Sequence, residues 1–244
     1  MLFAAGMGTR LKPLTDIMPK ALVPVNGTPL LKITLDRLIS FGFNEIVINV
    51  HHFSEQIVKY LAEHKFDAVI KISDESDLLL ETGGGLKKAL SLFSEGDSPI
   101  LLHNVDILIN ANLDTFYEES KGKTAHLMVS QRKTNRYLLF DDRNRLFGWH
   151  NTATGEIKSP YTNIKTNEYR SLAFSGIHCI SPQVKALMQE WPDKFSIIDF
   201  YLSICKDAHV FCTEMHDLNL LDVGKQDTLK TAEFFLSQHY KNEQ

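Results

Sequence analysis

The sequence predicts an α/β fold in which helices cover both faces of a doubly wound, mostly parallel sheet. First, short apolar runs alternate with stretches whose apolar residues recur at helical spacing. Second, Glu45–Val50 is almost continuously apolar, as expected of a parallel strand buried on both faces. Third, the elements follow in the order strand, helix, strand, helix, strand, which suits parallel strands joined by crossover helices.

The first half of the chain carries most of this pattern. Gly42 is expected to end the first helix. Ser54 is expected to cap the second helix, whose buried face would hold Ile57, Val58 and Leu61. The elements predicted here are helices near 30–39, 54–61 and 86–93, and strands at 45–50, 68–73 and 99–104.

The second half is less regular. The turn residues Asp141–Asn144 lie between two apolar runs and predict a hairpin. The polar segment 155–170 has no clear period and is expected to be a loop. The remaining predictions are strands at 125–130, 171–180 and 208–213, and helices at 182–191, 196–206 and 226–238.

Composition restricts the function. At 244 residues the chain fits one domain, or one domain with an elaborated lobe. A formal charge of −4 without a long basic stripe argues against nucleic-acid binding, and no apolar run is long enough to span a membrane. Cys179, Cys205 and Cys212 are widely spaced, so we interpret them as reduced core thiols of a cytoplasmic protein. The first apolar run, before Gly6, is short for a buried strand, and an earlier start of the native chain is left open.

The stretch that follows the first apolar run predicts a phosphate site. Gly6 and Gly8 let the backbone turn tightly, with N–H groups free to point at phosphate oxygens. Arg10, Lys12 and Lys20 add three cations close to that turn. Two prolines keep the segment after Arg10 from forming one long helix, so an ordered loop is expected.

Two common phosphate motifs are excluded. Leu11 stands where a dinucleotide fingerprint needs its third glycine, and no Gly-Lys-Ser/Thr of a Walker A loop occurs. The unbroken string from Gly6 to Thr15, followed by Pro19 to Val25, resembles the signature of the sugar-phosphate nucleotidylyltransferases, or NDP-sugar pyrophosphorylases. The resemblance continues over nearly the whole chain, in Gly27–Leu30, Glu81–Gly85, Asn104–Asp106, Phe174–Ile177 and Asp222–Gly224.

The resemblance implies a Rossmann-like nucleotidyltransferase fold with a smaller sugar-binding lobe. It divides one domain, 1–244, into a nucleotide-binding half (1–110), a sugar-binding half (111–224) and a C-terminal helix (225–244). It also implies the reaction: an oxygen of a sugar 1-phosphate attacks the α-phosphorus of an NTP in line, and pyrophosphate leaves. The short length and Glu-Thr-Gly-Gly-Gly are most similar to N-acetylmuramate-1-phosphate uridylyltransferases, with mannose- or heptose-1-phosphate guanylyltransferases as the alternative.

The same resemblance assigns roles to individual residues. Arg10 would hold the β- and γ-phosphates, and Lys20 would stabilise charge that develops around the α-phosphate. Asp106 and Asp222 match the family's ligands for Mg²⁺, or for Mn²⁺ in its place. The implied nucleotide-binding residues are Ala4, Ala5, Gly6, Gly8, Thr9, Arg10, Thr82 and Gly83, and the implied sugar-phosphate contacts are Glu81, Gly84, Ser175 and Gly176.

Several points stay open at this level. Glu156–Pro160 lacks the Glu-Lys-Pro of many relatives, so the cation that holds the sugar phosphate is not identified. Segments 81–85 and 175–176 are predicted to form opposite walls of one pocket, with 151–170 as its mobile lid. A non-catalytic nucleotide- or sugar-binding subunit, or a cytidylyltransferase acting on a polyol phosphate, would be competing functions. The chain is expected to be a monomer or homodimer.

Overall fold

The computed structural model describes residues 1–240. Its strands, numbered in chain order, are β1 (Leu2–Phe3), β2 (Pro24–Val25), β3 (Thr28–Pro29), β4 (Glu45–Val50), β5 (Val69–Asp74), β6 (Ile100–Asn104), β7 (Ile107–Ile109), β8 (Ala125–Ser130), β9 (Arg136–Phe140), β10 (Leu146–Asn151), β11 (Ile157–Lys158), β12 (Arg170–Ile180), β13 (Val210–Glu214) and β14 (Leu220–Asp222). Its α-helices are α1 (Leu30–Ser40), α2 (Ser54–Glu63), α3 (Glu81–Ala89), α4 (Leu113–Ser120), α5 (Val184–Leu187), α6 (Ile197–Ile204) and α7 (Gln226–His239).

One large sheet runs through both halves of the chain. Strands β6, β1, β4 and β5 lie side by side and are mutually parallel. The long strand β12 then pairs antiparallel with β6, and it also pairs with β8 and β9. Strand β13 extends the sheet beyond β8, while β10 and β11 extend it beyond β9. The predicted α/β class and doubly wound first half are confirmed, and the antiparallel pairs belong to the second half.

Strand β4 shows why the sheet is buried on both faces. Ile46, Ile48 and Val50 point to the face that α1, α2 and α4 cover. Val47 points to the opposite face, where Leu86 of α3 joins a cluster with α5 and α6. Successive side chains of a strand alternate between faces, so an apolar run is stable only when both faces are covered.

A third apolar cluster supports the predicted phosphate loop. Helix α7 contributes Ala232 and Phe235, which pack with Leu11 and Val23 from the loop segment. The Gln226 side chain at the start of α7 also donates a hydrogen bond to the carbonyl of a loop residue. The last helix therefore holds the loop in place from outside.

Some local predictions were wrong. Ser54 is the first residue of α2 and caps nothing, because Phe53 precedes the helix in a left-handed conformation (φ +53°). Val58 is exposed, since α2 lies at the edge of the fold and buries mainly Ile57. The 182–191 helix is reduced to the single turn α5, and segment 155–170 contains the short strand β11.

The three cysteines lie in the core as free thiols, as expected. Burial raises the pKa of Cys179 and of Cys212 to about 12 and that of Cys205 to about 11, so all three stay protonated and inert. Within residues 1–240, no helix combines the length and the apolar composition that crossing a bilayer would demand.

Candidate active site

The Gly6–Arg10 loop offers a backbone cradle at the carboxyl end of β1. Among residues 1–240, no hydrogen-bond partner is recorded for the backbone N–H groups of Ala5, Gly6 and Met7. A Cβ built on Gly6 would meet no atom within 4 Å, so the space beside its Cα is open. Unpaired amides that follow a glycine turn are suited to phosphate oxygens.

Gly8 has a different task. Its φ of +62° is the left-handed region, and a Cβ there would lie 2.7 Å from the methyl group of Thr15. The Thr15 hydroxyl donates to the Gly8 carbonyl over 2.8 Å. Gly8 therefore shapes the loop, while Gly6 leaves room beside it.

The chain then wraps through three short 3-10 turns, at Thr9–Leu11, Leu14–Asp16 and Lys20–Leu22. This confirms the ordered loop that the prolines predicted. Its path brings Arg10 and Lys20 back beside the carboxyl ends of the strands.

The two predicted metal ligands, 116 residues apart in sequence, are neighbours in space. Strands β7 and β14 pair antiparallel, with Asp222 opposite Ile107. The backbone N–H of Val223 donates to the carbonyl of Asp106 over 2.8 Å. This small two-stranded sheet therefore places the residues between β6 and β7 next to the end of β14, the last strand.

Each aspartate meets one of the predicted catalytic cations. Lys20 Nζ contacts Asp106 Oδ2, and these side chains are only 11% and 17% exposed. Arg10 Nη2 lies 3.5 Å from Asp222 Oδ2, with side chains 55% and 45% exposed. A Cβ on Gly224 would lie 2.5 Å from Asp222 Oδ1 and 2.6 Å from Arg10 Nη2, so any side chain there would displace the second pair from this arrangement.

The carboxylates fit a magnesium ion. Asp222 Oδ1 is buried and, among residues 1–240, has no hydrogen-bond partner, so this oxygen is available as a metal ligand. No cluster of three or more His, Cys, Asp or Glu side chains suited to a metal occurs in that part of the chain. Mg²⁺ is usually held by one or two carboxylates together with substrate phosphates and water, so Asp106 and Asp222 would provide enough protein ligands.

A cavity of about 380 Å³ opens beside these pairs. Its mixed lining suits a ligand with an apolar face and several polar groups. The lining residues are Phe3, Ala4, Ala5, Gly6, Lys20, Asn49, Leu79, Glu81, Thr82, Asn104, Val105, Asp106 and Ser196. The structure thus brings Ala4, Ala5, Gly6, Lys20, Glu81, Thr82 and Asp106 to one cavity, and the resemblance implied a ligand or catalytic role for each of them.

The glycines of Glu81–Gly85 do not face this cavity. They form the first turns of α3 instead of preceding it, and the N–H groups of Gly83 and Gly84 both donate to the Phe195 carbonyl. A Cβ on Gly84 would lie 1.9 Å from the Asp193 carbonyl oxygen. These glycines make room for the chain before α6, so ligand contacts by Gly83 and Gly84 have no support in this geometry.

Ser175 and Gly176 also differ from the prediction. They form a bulge within β12 and are absent from the cavity lining, and Gly176 has φ +82°. The Ser175 side chain is buried, accepts a hydrogen bond from Ile177 N and is absent from the cavity lining, so its contact with the sugar stays a prediction. A Cβ on Gly176 would lie 2.7 Å from Asn104 Nδ2. Because Gly176 has no Cβ, the bulge leaves space for the Asn104 side chain, and Asn104 lines the cavity wall.

The predicted lid lies beside the site, with none of its residues in the cavity lining. Lys158 Nζ contacts Asp199 of α6 over 3.0 Å and lies 5.4 Å from the ring centroid of Trp149. Tyr161 stacks on Phe147 of β10. The segment is thus packed against the edge of the sheet, and its lid role stays a prediction.

Sequence reasoning missed Asn49, Asn104 and Ser196. Asn49 and Asn104 are polar residues that interrupt or end apolar strands, and such residues at carboxyl ends were the available signal. The Ser196 side chain caps α6 by accepting a hydrogen bond from Ile198 N, and a serine at the start of a predicted helix was the only available signal for this residue. A larger cavity, about 830 Å³, lies at the amino ends of the strands, but its charged lining is mainly acidic and does not suit phosphate.

Comparisons with known proteins identify the family. A family model described as nucleotidyl transferase matches residues 1–137. The N-acetylmuramate alpha-1-phosphate uridylyltransferase of Caulobacter vibrioides is 31% identical over 218 residues, which cover 86% of this chain and 85% of that protein. A UTP–glucose-1-phosphate uridylyltransferase of Synechocystis is 26% identical across 100% of this chain and 65% of its own length.

Solved structures share the fold. HddC from Yersinia pseudotuberculosis superposes with a TM-score of 0.75 at 18% identity, over 96% of this chain and 97% of that one. A UDP-glucose pyrophosphorylase from Acinetobacter gives a TM-score of 0.76 at 17% identity, over 98% and 93%. The loop, the paired aspartates and these matches agree: the chain belongs to the nucleotidyl transferase family, among its sugar-phosphate nucleotidyltransferases.

Proposed function

We propose that this chain is a Mg²⁺-dependent uridylyltransferase that converts UTP and N-acetylmuramate 1-phosphate, or a closely related sugar 1-phosphate, to the UDP-sugar and pyrophosphate. The observation that carries the proposal is the pair of adjacent ion pairs: Lys20–Asp106, which lines the cavity, and Arg10–Asp222 next to it. The choice of substrates rests on the Caulobacter relative, the uridylyltransferase that matches 86% of this chain.

The free amides of Ala5 to Met7 and the guanidinium of Arg10 would bind the β- and γ-phosphates. Lys20 would stabilise the charge that builds up around the α-phosphate during in-line attack. Binding would separate both ion pairs, because the cations turn to phosphate oxygens while the two carboxylates become available as ligands. Asp106 and Asp222 would hold a magnesium ion, which would supply charge neutralisation between the two anionic substrates.

The alternative with specific support is a guanylyltransferase for a mannose-type sugar 1-phosphate. A mannose-1-phosphate guanyltransferase of Hypocrea jecorina is 36% identical, but over only 44% of this chain. A non-catalytic binding subunit would have no need to keep Arg10, Lys20, Asp106 and Asp222 together at one site. A cytoplasmic location accompanies the proposal, since NTPs are the substrates and the three buried cysteines are free thiols.

The test is a pyrophosphate-release screen that crosses four NTPs with glucose, mannose and N-acetylmuramate 1-phosphates. We expect turnover to require Mg²⁺ or Mn²⁺ and to be highest with UTP and N-acetylmuramate 1-phosphate. Preference for GTP with mannose 1-phosphate would replace the proposal by its alternative. Nucleotide binding without turnover for any pair would support the non-catalytic subunit instead.

A further inference from the structure

At the back of the cavity, whose lining includes Asn49, two buried polar side chains connect the opposite walls. Asn49 of β4 is 2% exposed, and Glu75, just after β5, is 1% exposed. Within residues 1–240, Glu75 forms no ion pair, and its side-chain oxygens accept hydrogen bonds instead. A carboxylate buried without a cation is costly unless its oxygens accept hydrogen bonds. The groups that donate hydrogen bonds to the two oxygens of Glu75 therefore matter for the structure of the cavity.

One arm of the network reaches the phosphate loop. Ala4 N donates to Asn49 Oδ1 over 2.8 Å, and Ala4 immediately precedes the free amides of the loop. Because Ala4 N–H is a donor, the amide oxygen of Asn49 must face it, and the amide nitrogen must face the other way. Asn49 Nδ2 then donates to Glu75 Oε1 over 2.7 Å.

The other arm reaches the opposite wall. Leu80 N donates to Glu75 Oε2 over 3.1 Å, directly before Glu81. Glu81 lines the cavity with φ +62°, a left-handed conformation that a non-glycine residue keeps only when its surroundings hold it there. The backbone of Glu75 is itself fixed, since His51 Nδ1 lies 2.6 Å from its carbonyl oxygen.

The third glycine of the Glu-Thr-Gly-Gly-Gly motif is explained by this network. A Cβ on Gly85 would lie 2.6 Å from Glu75 Oε1 and 3.0 Å from Asn49 Nδ2. Any side chain at position 85 would therefore push the two partners apart. Helix α3 passes so close to β4 only because this residue has no Cβ.

We infer that Asn49 and Glu75 are positioning residues for nucleotide binding: their hydrogen bonds set the spacing between the Ala4 end of the phosphate loop and the Leu80–Glu81 wall. Neither residue needs to contact a reacting atom. The inference rests on the proposed function only in taking the occupant of this cavity to be an NTP.

The test uses the full chain and Mg·UTP, with Mg·GTP in parallel, and measures Kd by calorimetry without a sugar phosphate. Glu75→Gln puts an amide NH₂ against either Asn49 Nδ2 or Leu80 N, so one donor faces another. We expect its nucleotide Kd to rise about tenfold, which corresponds to about 1.4 kcal/mol. The matched control is Glu45→Gln, at the amino end of β4, where the carboxylate pairs with Lys71. Its Kd should stay within about twofold.

A swapped pair separates positioning from general stability. In the double variant Asn49→Asp/Glu75→Gln, the carboxylate introduced at position 49 could accept from Ala4 N and from the new amide at position 75, while that amide's oxygen accepts from Leu80 N. Asn49→Asp alone would place two carboxylates against each other and should be the weakest binder of the set. We expect the double variant to recover Kd to within about threefold of the native chain, since all three hydrogen bonds are restored.

A Kd within twofold of the native value for Glu75→Gln would overturn the inference. So would a double variant that regains the native Tm but binds nucleotide no better than Glu75→Gln, because the network would then be only structural. If Glu75→Gln does not fold, the double variant decides alone: native-like Kd supports the inference, and loss of folding or binding contradicts it. Failure of turnover with every sugar phosphate would count against the proposed function but leave these Kd values readable.

Discussion

Replacing Lys20 by alanine tests the role of the less exposed of the two ion pairs. The change removes the only cation in the cavity lining, among residues 1–240, and leaves Asp106 without its partner. Removing one preorganised charge from a developing phosphoryl charge typically lowers turnover by about 10²–10³-fold. We therefore expect Lys20→Ala to lose that much kcat. Arg10→Ala, from the more exposed pair, should lose at least as much in kcat/KM because phosphate binding suffers.

The two variants should also differ in stability. A fully buried pair that loses one partner is destabilised by about 3–5 kcal/mol, so Lys20→Ala, at 11% and 17% exposure, should lose somewhat less. Arg10→Ala breaks a half-exposed pair, which contributes about 1 kcal/mol at most. Binding to Mg·UTP, kcat from pyrophosphate release and Tm would be measured on the same preparations.

Lys32→Ala is the control for Lys20→Ala, because it removes an exposed lysine that pairs with Asp36 on the surface of α1. Its kcat should stay within about twofold, as expected for a surface substitution. A tenfold or smaller loss of kcat in Lys20→Ala, together with an intact kcat/KM in Arg10→Ala, would refute the catalytic roles and leave the loop a structural element.

Three further outcomes are expected. Asp222→Asn should abolish Mg²⁺-dependent turnover yet shift Tm by less than about 4 °C, because its ion pair is half exposed; near-full turnover would refute the metal role. Gly84→Ala, which would put a Cβ 1.9 Å from a facing carbonyl oxygen, should lower the unfolding free energy by about 3 kcal/mol or more, whereas Gly96→Ala in open space should be near neutral in urea unfolding. Burial lowers the pKa of His103 to about 4 and that of His178 to about 3, both from 6.5. The unfolded chain therefore binds protons that the folded chain does not, and stability should fall as pH drops below about 6.5, by about 2 kcal/mol per histidine at pH 5; a urea midpoint equal at pH 7 and pH 5 would contradict this.

The strands and the phosphate loop could be predicted because their signals are local. An apolar run such as β4 must be covered on both faces, and two glycines followed by cations can be recognised in about fifteen residues of sequence. The edge positions could not be predicted in the same way. Val58 has the spacing of a buried residue, yet α2 lies at the rim and leaves it exposed.

The meeting of Asp106 and Asp222 depends on a contact that no spacing reveals. It comes from the antiparallel pairing of β7 with β14, between residues more than a hundred positions apart. The prediction that the two aspartates lie together came from the family resemblance, which matched both of them to one metal site, and not from their spacing in the sequence. The nucleobase and the sugar that the site accepts are harder still to predict. The free backbone amides of the loop are donors whatever the residue type, so the sequence does not reveal them.

The glycines show most clearly where sequence reasoning ends. A glycine indicates that something approaches the backbone closely, but the sequence does not say whether that neighbour is a ligand or the chain itself. At Gly6 the neighbouring space is open, so a ligand fits; at Gly84 it holds a carbonyl of the loop before α6. At Gly85 it holds Glu75, so this residue shapes the cavity without facing it. A glycine motif that resembles a binding loop can therefore serve the packing around the cavity instead of contacting the ligand. Only the atoms that neighbour each glycine distinguish these two roles.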